Sequence, residues 1–136
     1  MPELSISTEK VCFLIVKARE FDVQEENSDP DSGSNAIDDG MTDVLQDHAS
    51  NPIAQELRAY LIALSDDEKA DLITLMQIGR EDGTLEDWSA LRDQAMREFV
   101  PRSAAYLMGQ PLLGDYLEEG LSQLGFSCSE FEINRL

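Results

Sequence analysis

The stretch from Ile53 to Arg80 constrains the fold most strongly, because it combines helical periodicity with clear capping signals. Its sequence is IAQELRAYLIALSDDEKADLITLMQIGR. Apolar residues recur three and four positions apart in its first half, which is typical of one face of a helix. Ser65 and Glu68 have the spacing of a capping box, so a second helix begins directly after the first. This short connection predicts a central antiparallel helix hairpin.

The second helix of this stretch is apolar around much of its circumference, with Leu72, Ile73, Leu75, Met76 and Ile78. These positions cover more than the roughly 100° stripe of a surface helix, so we expect contacts with neighbours on several sides.

Helical spacing and capping residues recur in the rest of the chain, and no run alternates as a strand does. Further helices are expected at about Thr8–Asp22, 38–48, 84–99, from Ser103 to Gly109, and from Pro111 to a left-handed cap at Gly125. The prediction is an all-α fold, an irregular multi-helix array around the central hairpin, in one domain that spans residues 1–136.

The net charge of −18 is unevenly distributed. The segment from Glu20 to Glu56, which we call the acidic belt, contains eleven acidic residues and no Lys or Arg. Its part from Gln24 to Gly40 has a turn-forming, charged composition, and we expect a mobile loop there. Direct binding to nucleic acid is disfavoured, since such binding depends on clustered basic residues.

Two cysteines without CxxC or Cys/His spacing, Cys12 and Cys128, are more typical of reduced core residues than of a bridge or a metal site. The longest apolar run is far shorter than the ~18 residues of a membrane span. From these features we expect a cytoplasmic protein without a membrane contact.

Four blocks of the sequence together resemble a known family. They are LSISTEKVCFLIVKAREFDV, DPDSGSNAIDDGM, LSDDEKADLITLMQIGR with the later Asp87 and Trp88, and AAYLMGQPLLGDYLEEGL. The chain is similar, from about Leu4 to Leu136, to a group of small acidic bacterial proteins catalogued as a domain of unknown function. The resemblance implies a single uncharacterised domain with no assigned catalytic or binding residues.

One cluster has the residue types of a metal site: Asp39, Asp43, Asp47 and His48. Residues four apart share a helix face, and carboxylates with an imidazole are ligands for Zn, Mn or Fe. The competing interpretation is a solvated acidic face, which we favour because the chain has a single histidine. No glycine-rich phosphate loop or nucleophile–base motif is present either. We therefore expect no cofactor, and an enzyme is the less favoured class.

The block from Tyr106 to Gly120 contains Gly109, Gly114 and Gly120, each of which costs up to about 1 kcal/mol within a helix. A cap and two close helix crossings inside the domain would explain these glycines. The alternative explanation for these glycines is a contact with a second subunit or another partner, in which Tyr106 and Tyr116 would take part.

These observations favour a non-enzymatic interaction or regulatory protein that presents its acidic surface to a basic protein partner. Within the belt, the candidate partner-binding residues are Asp29, Asp31, Asp38 and Asp39. One alternative is a nucleic-acid mimic that inhibits a DNA- or RNA-binding protein. Another is a metal-dependent enzyme centred on His48.

Overall fold

A computed structural model of the protein describes residues 3–27 and 51–129, with side chains for 3–23 and 51–129. Within these ranges the structure is helical and has no strand, so the prediction of an all-α fold is confirmed. The α-helices are α1 (Thr8–Asn27), α2 (Pro52–Ala63), α3 (Asp66–Gly79), α4 (Trp88–Gln94), α5 (Ser103–Met108) and α6 (Leu113–Gln123). Shorter elements are two 3₁₀ turns, Leu85–Asp87 and Val100–Arg102, and a π-helix, Ala95–Phe99.

The helix starts follow the capping residues that the sequence indicates. Asn51 Oδ1 accepts a hydrogen bond from the Ile53 amide at 2.9 Å, and Pro52 opens α2. Ser65 and Glu68 form the reciprocal capping box of α3, with distances of 3.1 and 2.9 Å. These contacts satisfy amide groups that the first turn of a helix cannot pair internally, so each start is fixed locally.

The centre of the fold is α3, in which every residue from Ala70 to Ile78 is buried. It packs most extensively against α6 and also contacts α4 and the π-helix, which agrees with contacts predicted on several sides. The central hairpin is not confirmed, because α2 packs against α1 and α5 instead of lying along α3. Leu64 and Ser65 are both extended, with ψ values of 153° and 165°, and they redirect the chain between α2 and α3.

Close approach of α6 to its neighbours depends on glycine. A Cβ atom on Gly120 would fall within 3.0 Å of the Leu75 carbonyl oxygen of α3, and one on Gly79 would collide with the Tyr116 carbonyl. A Cβ atom on Gly114 would lie 3.0 Å from the Ile15 carbonyl oxygen of α1, a tighter contact than most side chains make. Two of the three glycines singled out in the sequence, Gly114 and Gly120, therefore serve crossings inside the domain.

Some element boundaries differ from the prediction. The first helix continues to Asn27, through residues that are mostly good helix formers. The helix after Trp88 changes to a π-helix before Pro101, whose ring is incompatible with a regular helix around it. Helix α6 begins after Leu112, which has a left-handed φ of 62°, and not at Pro111. The cap at Gly125 is confirmed, with φ of 90°.

The expected short helix at 38–48 and residues 28–40 of the predicted mobile loop lie outside the described residues. The first four residues of that loop, 24–27, belong to α1.

The prediction of two reduced, unbridged cysteines is wrong. Cys12 of α1 and Cys128, which follows α6, form a disulfide with their Cα atoms 5.6 Å apart. The packing of α1 against α6 brings together two residues that are 116 positions apart in the sequence. The spacing of the two cysteines in the sequence could not predict this bond, because the bond depends on how the helices pack.

Candidate functional site

Most of the site residues expected from the sequence lie outside the described part of the chain: Asp29, Asp31, Asp38, Asp39, Asp43, Asp47 and His48. The two described candidates are Tyr106 on α5 and Tyr116 on α6. Both are half-buried and pack against the hydrophobic core. Much of each side chain is therefore used inside the domain.

Tyr106 is the centre of a polar and aromatic cluster. Its ring stacks on Phe99 of the π-helix, with ring centroids 4.2 Å apart. Gln77 of α3 donates a hydrogen bond from Nε2 to the Tyr106 hydroxyl at 3.3 Å. Gln110 donates to the Tyr106 carbonyl, also at 3.3 Å, and its own Oε1 accepts from Arg80. These contacts connect α3, the π-helix and α5.

The Gln77 side chain is only 5% exposed, and its Oε1 has no hydrogen-bond partner. If the amide oxygen and nitrogen of Gln77 were exchanged, Oε1 would pair with the Tyr106 hydroxyl and Nε2 would be the unpaired atom instead. A buried unpaired polar group costs about 1–3 kcal/mol. Because that oxygen is also shielded from solvent, the cluster does not present it to a ligand.

A shallow, open cleft lies between α6 and the segment that follows it; we call it the α6 cleft. Its volume is about 270 Å³. Its lining residues are Asp115, Glu118, Glu119, Leu121, Ser122, Phe126, Ser127 and Cys128. Three carboxylates therefore line the same cleft as Phe126, a residue that is 43% exposed. This combination suits a cation that carries an apolar stem.

Two of these carboxylates already bind a guanidinium, that of Arg19 on α1. Its Nε and Nη2 donate to Asp115 Oδ1 at 3.1 and 2.9 Å, and Nη2 also donates to Glu118 Oε1 at 2.6 Å. Partial burial lowers the pKa of Arg19, but the hydrogen bonds to Glu118 and Asp115 outweigh it and raise the pKa overall. The Asp115 and Glu118 side chains remain 56% and 48% exposed. They are therefore accessible to a second cation from solvent.

The sequence prediction did not include Glu118, Glu119 and Phe126. The three acids of the cleft recur at three and four positions, so they share a face of α6, and this pattern alone is typical of any solvated helix. The opposite wall comes from residues beyond the Gly125 cap, whose direction depends on the left-handed turn there. One feature of the sequence could have pointed to this wall: Phe126, an apolar residue directly after the predicted helix end at Gly125.

Within residues 3–27 and 51–129, no group of three or more His, Cys, Asp or Glu side chains is placed to hold a metal ion. None of the helices described in those ranges combines the length and apolar character needed to cross a membrane.

Comparison with curated proteins and with solved structures found no match. A family model matches residues 54–126, which run from α2 to just beyond α6. This range is narrower than the resemblance over Leu4–Leu136, and it excludes α1 and both cysteines. Because it covers more than half of the chain, the protein belongs to the family described as "Protein of unknown function (DUF3775)".

Proposed function

We propose that the protein is a non-enzymatic interaction or regulatory protein that binds a basic protein partner through its acidic surface. The observation that carries this proposal is the acidic belt, with eleven acidic residues and no Lys or Arg between Glu20 and Glu56. A surface field of one sign accelerates and orients the approach of an oppositely charged partner.

The α6 cleft supports the proposal by offering a specific place for a basic side chain. A partner arginine or lysine would be attracted by Glu118 and Glu119 while its stem lies on Phe126. Exposed carboxylates alone contribute little to affinity, typically up to about 1 kcal/mol a pair. The belt would therefore steer the partner, and the cleft would supply contacts that depend on shape.

The first experiment compares a variant with a neutralised cleft with a control that loses the same number of charges. One variant removes two cleft charges by Glu118→Gln and Glu119→Gln, and the control removes two exposed charges elsewhere by Glu86→Gln and Asp93→Asn. Binding of a hexa-arginine peptide is measured by calorimetry at low and moderate salt. We expect the cleft variant to weaken binding more than the control. Because both variants lose the same net charge, the difference between them measures the contribution of the cleft itself.

A third variant tests the belt, with Asp29, Asp31, Asp38 and Asp39 all changed to Asn. We expect slower association, a smaller salt dependence and an unchanged melting temperature, since exposed charges are screened over about 8 Å at physiological ionic strength. Proteins retained from a cell lysate by the wild type and by this variant are then compared. Binding that no variant reduces would contradict the proposal and would leave solubility as the role of the acidic surface.

A further inference from the structure

The segment after α6 is attached to the rest of the described structure at few points. Gly125 and Phe126 donate backbone hydrogen bonds to the last turn of α6, to Ser122 O and Leu121 O, each at 2.9 Å. Beyond them, the hydrogen bonds described for Ser127 and Ser129 join these two serines to each other. The order of residues 127–129 relative to the helices must therefore come from another contact.

That contact is the Cys12–Cys128 disulfide. Among residues 125–129, Cys128 is the one that is buried, and its neighbours on both sides are exposed. Cys12 lies in the second turn of α1 and is 1% exposed. The bond therefore fixes the end of the described chain to a helix at its opposite end. Few other contacts among the described residues hold residues 127–129 in place.

This bond also holds one wall of the α6 cleft. Phe126, Ser127 and Cys128 line the cleft on one side, and the carboxylates of α6 line it on the other. The matched family region ends at residue 126, so both cysteines lie outside it. The disulfide therefore joins two residues that lie outside the matched region.

We propose that the Cys12–Cys128 disulfide is a redox-controlled latch that holds the wall of the α6 cleft in place and is opened by a dithiol reductant. The proposed regulation rests on the proposed function of the cleft as the binding site for a basic partner. In the oxidised protein the wall is fixed and the cleft is complete. In the reduced protein, the burial of the Cys128 side chain is the remaining contact with α1 among the described residues of the segment 127–129.

The exchange chemistry balances without any further reactant. One thiolate of the dithiol attacks Cys128 Sγ, the disulfide bond breaks, and Cys12 leaves as a thiolate that takes up a proton. The second thiol of the reductant, as its thiolate, then attacks the mixed disulfide, and Cys128 leaves and is protonated. Two electrons and two protons pass to the protein, and the reductant becomes a disulfide. Access to Cys128 Sγ requires only local displacement of a segment whose other residues are exposed.

The first test follows the latch without a binding partner. The native protein is treated with dithiothreitol, alkylated without denaturant and weighed by mass spectrometry, and backbone order parameters are measured by NMR in both states. We expect both thiols to be alkylated and the order parameters of residues 127–129 to fall below about 0.6, while those of 72–78 stay near about 0.85. Cys128→Ser should show the mobile segment without reductant, and dithiothreitol should not change it.

The second test measures the affinity of the hexa-arginine peptide for the oxidised and the reduced protein. We expect about tenfold weaker binding after reduction, or about 1.4 kcal/mol. Resistance to alkylation until denaturant is added, an unchanged segment after reduction, or loss of order throughout α3 would each overturn the latch. If the segment is released but neither state binds the peptide, the latch stands and the proposed function fails.

Discussion

Asp71 is a charged side chain with no exposed surface, and its partners explain why the fold tolerates it. Its carboxylate accepts hydrogen bonds from the backbone amides of Ser5 and Ile6 and from Arg92 Nε, the last at 2.7 Å. Burying a charge without such partners would be prohibitive. One residue of α3 therefore joins the segment before α1 to α4.

Replacing Arg92 by leucine should destabilise the protein by about 3–5 kcal/mol, because it leaves the Asp71 carboxylate buried and without its cation. The free energy of unfolding is measured by urea denaturation. Arg97→Leu, at an exposed position of the π-helix, serves as the control and should change stability by less than about 0.5 kcal/mol. Equal losses of stability from the two substitutions would show that the buried Asp71–Arg92 pair does not contribute more than an exposed arginine does.

Glu68 should make stability depend on pH in the acid range. Lys10 donates to its carboxylate at 2.8 Å and the Ser65 amide donates at 2.9 Å, and these bonds lower the pKa of Glu68 from its ordinary value of 4.5. Since the pKa is lower in the folded state, the stabilisation is present above about 4.5 and disappears as the pH falls through the folded-state pKa.

The variant Glu68→Gln should therefore be less stable than the wild type at pH 7, and the difference should shrink as the pH falls below 4.5. Urea denaturation at a series of pH values measures both proteins. The exposed Glu86→Gln variant is the control for general charge effects. A difference that stays constant down to pH 2 would contradict the role of this carboxylate.

At the scale of helices, the crossing of α3 and α6 depends on Gly120. We expect Gly120→Ala to destabilise the protein by about 1–3 kcal/mol, because the added Cβ would overlap the Leu75 carbonyl and force the helices apart. Alanine is otherwise the better helix former, so an isolated helix would gain stability. Thermal unfolding measures the change, and the exposed Ser122→Ala on the same helix is the control.

If Gly120→Ala instead raised the melting temperature, helix propensity would outweigh packing at this position. The backbones of α3 and α6 would then have room to adjust, and the close crossing would not constrain the residue type.

The helix starts could be predicted from the sequence, because a cap such as Ser65 with Glu68 acts within one turn of its own helix. Which helices pack together could not be predicted in the same way. The short connection between α2 and α3 favoured a hairpin, yet Leu64 and Ser65 extend the chain and Gly120 admits α6 to the face of α3. The α6 cleft was missed for the same reason, since its two walls meet only after α6 has packed.

At the scale of the whole molecule, the region matched by the family model is not a complete core. Helix α1 lies outside residues 54–126, yet it packs against α2 and α6 and buries six apolar residues among its described side chains. These are Val11, Cys12, Leu14, Ile15, Ala18 and Phe21. Without α1, apolar surface of α2 and α6 would face water.

A fragment that begins at residue 51 should therefore lose cooperative unfolding and bind a hydrophobic dye, while it retains helical circular dichroism. Calorimetry and dye fluorescence measure this outcome. Full-length Cys12→Ala is the control, because it removes the disulfide and keeps the helix. A sharp two-state transition in the fragment would show that the matched region folds independently.

The packing of α1 against α6 also affects how the chain folds during its synthesis. Gln123, the last residue of α6, lies 96 positions after Asn27, the last residue of α1. At about 5–20 residues per second, a ribosome needs on the order of 5–20 s to make that length. Throughout this interval the apolar face of α1 has no α6 to cover it. The nascent chain should therefore be a client for chaperones that bind exposed apolar helices, until α6 emerges.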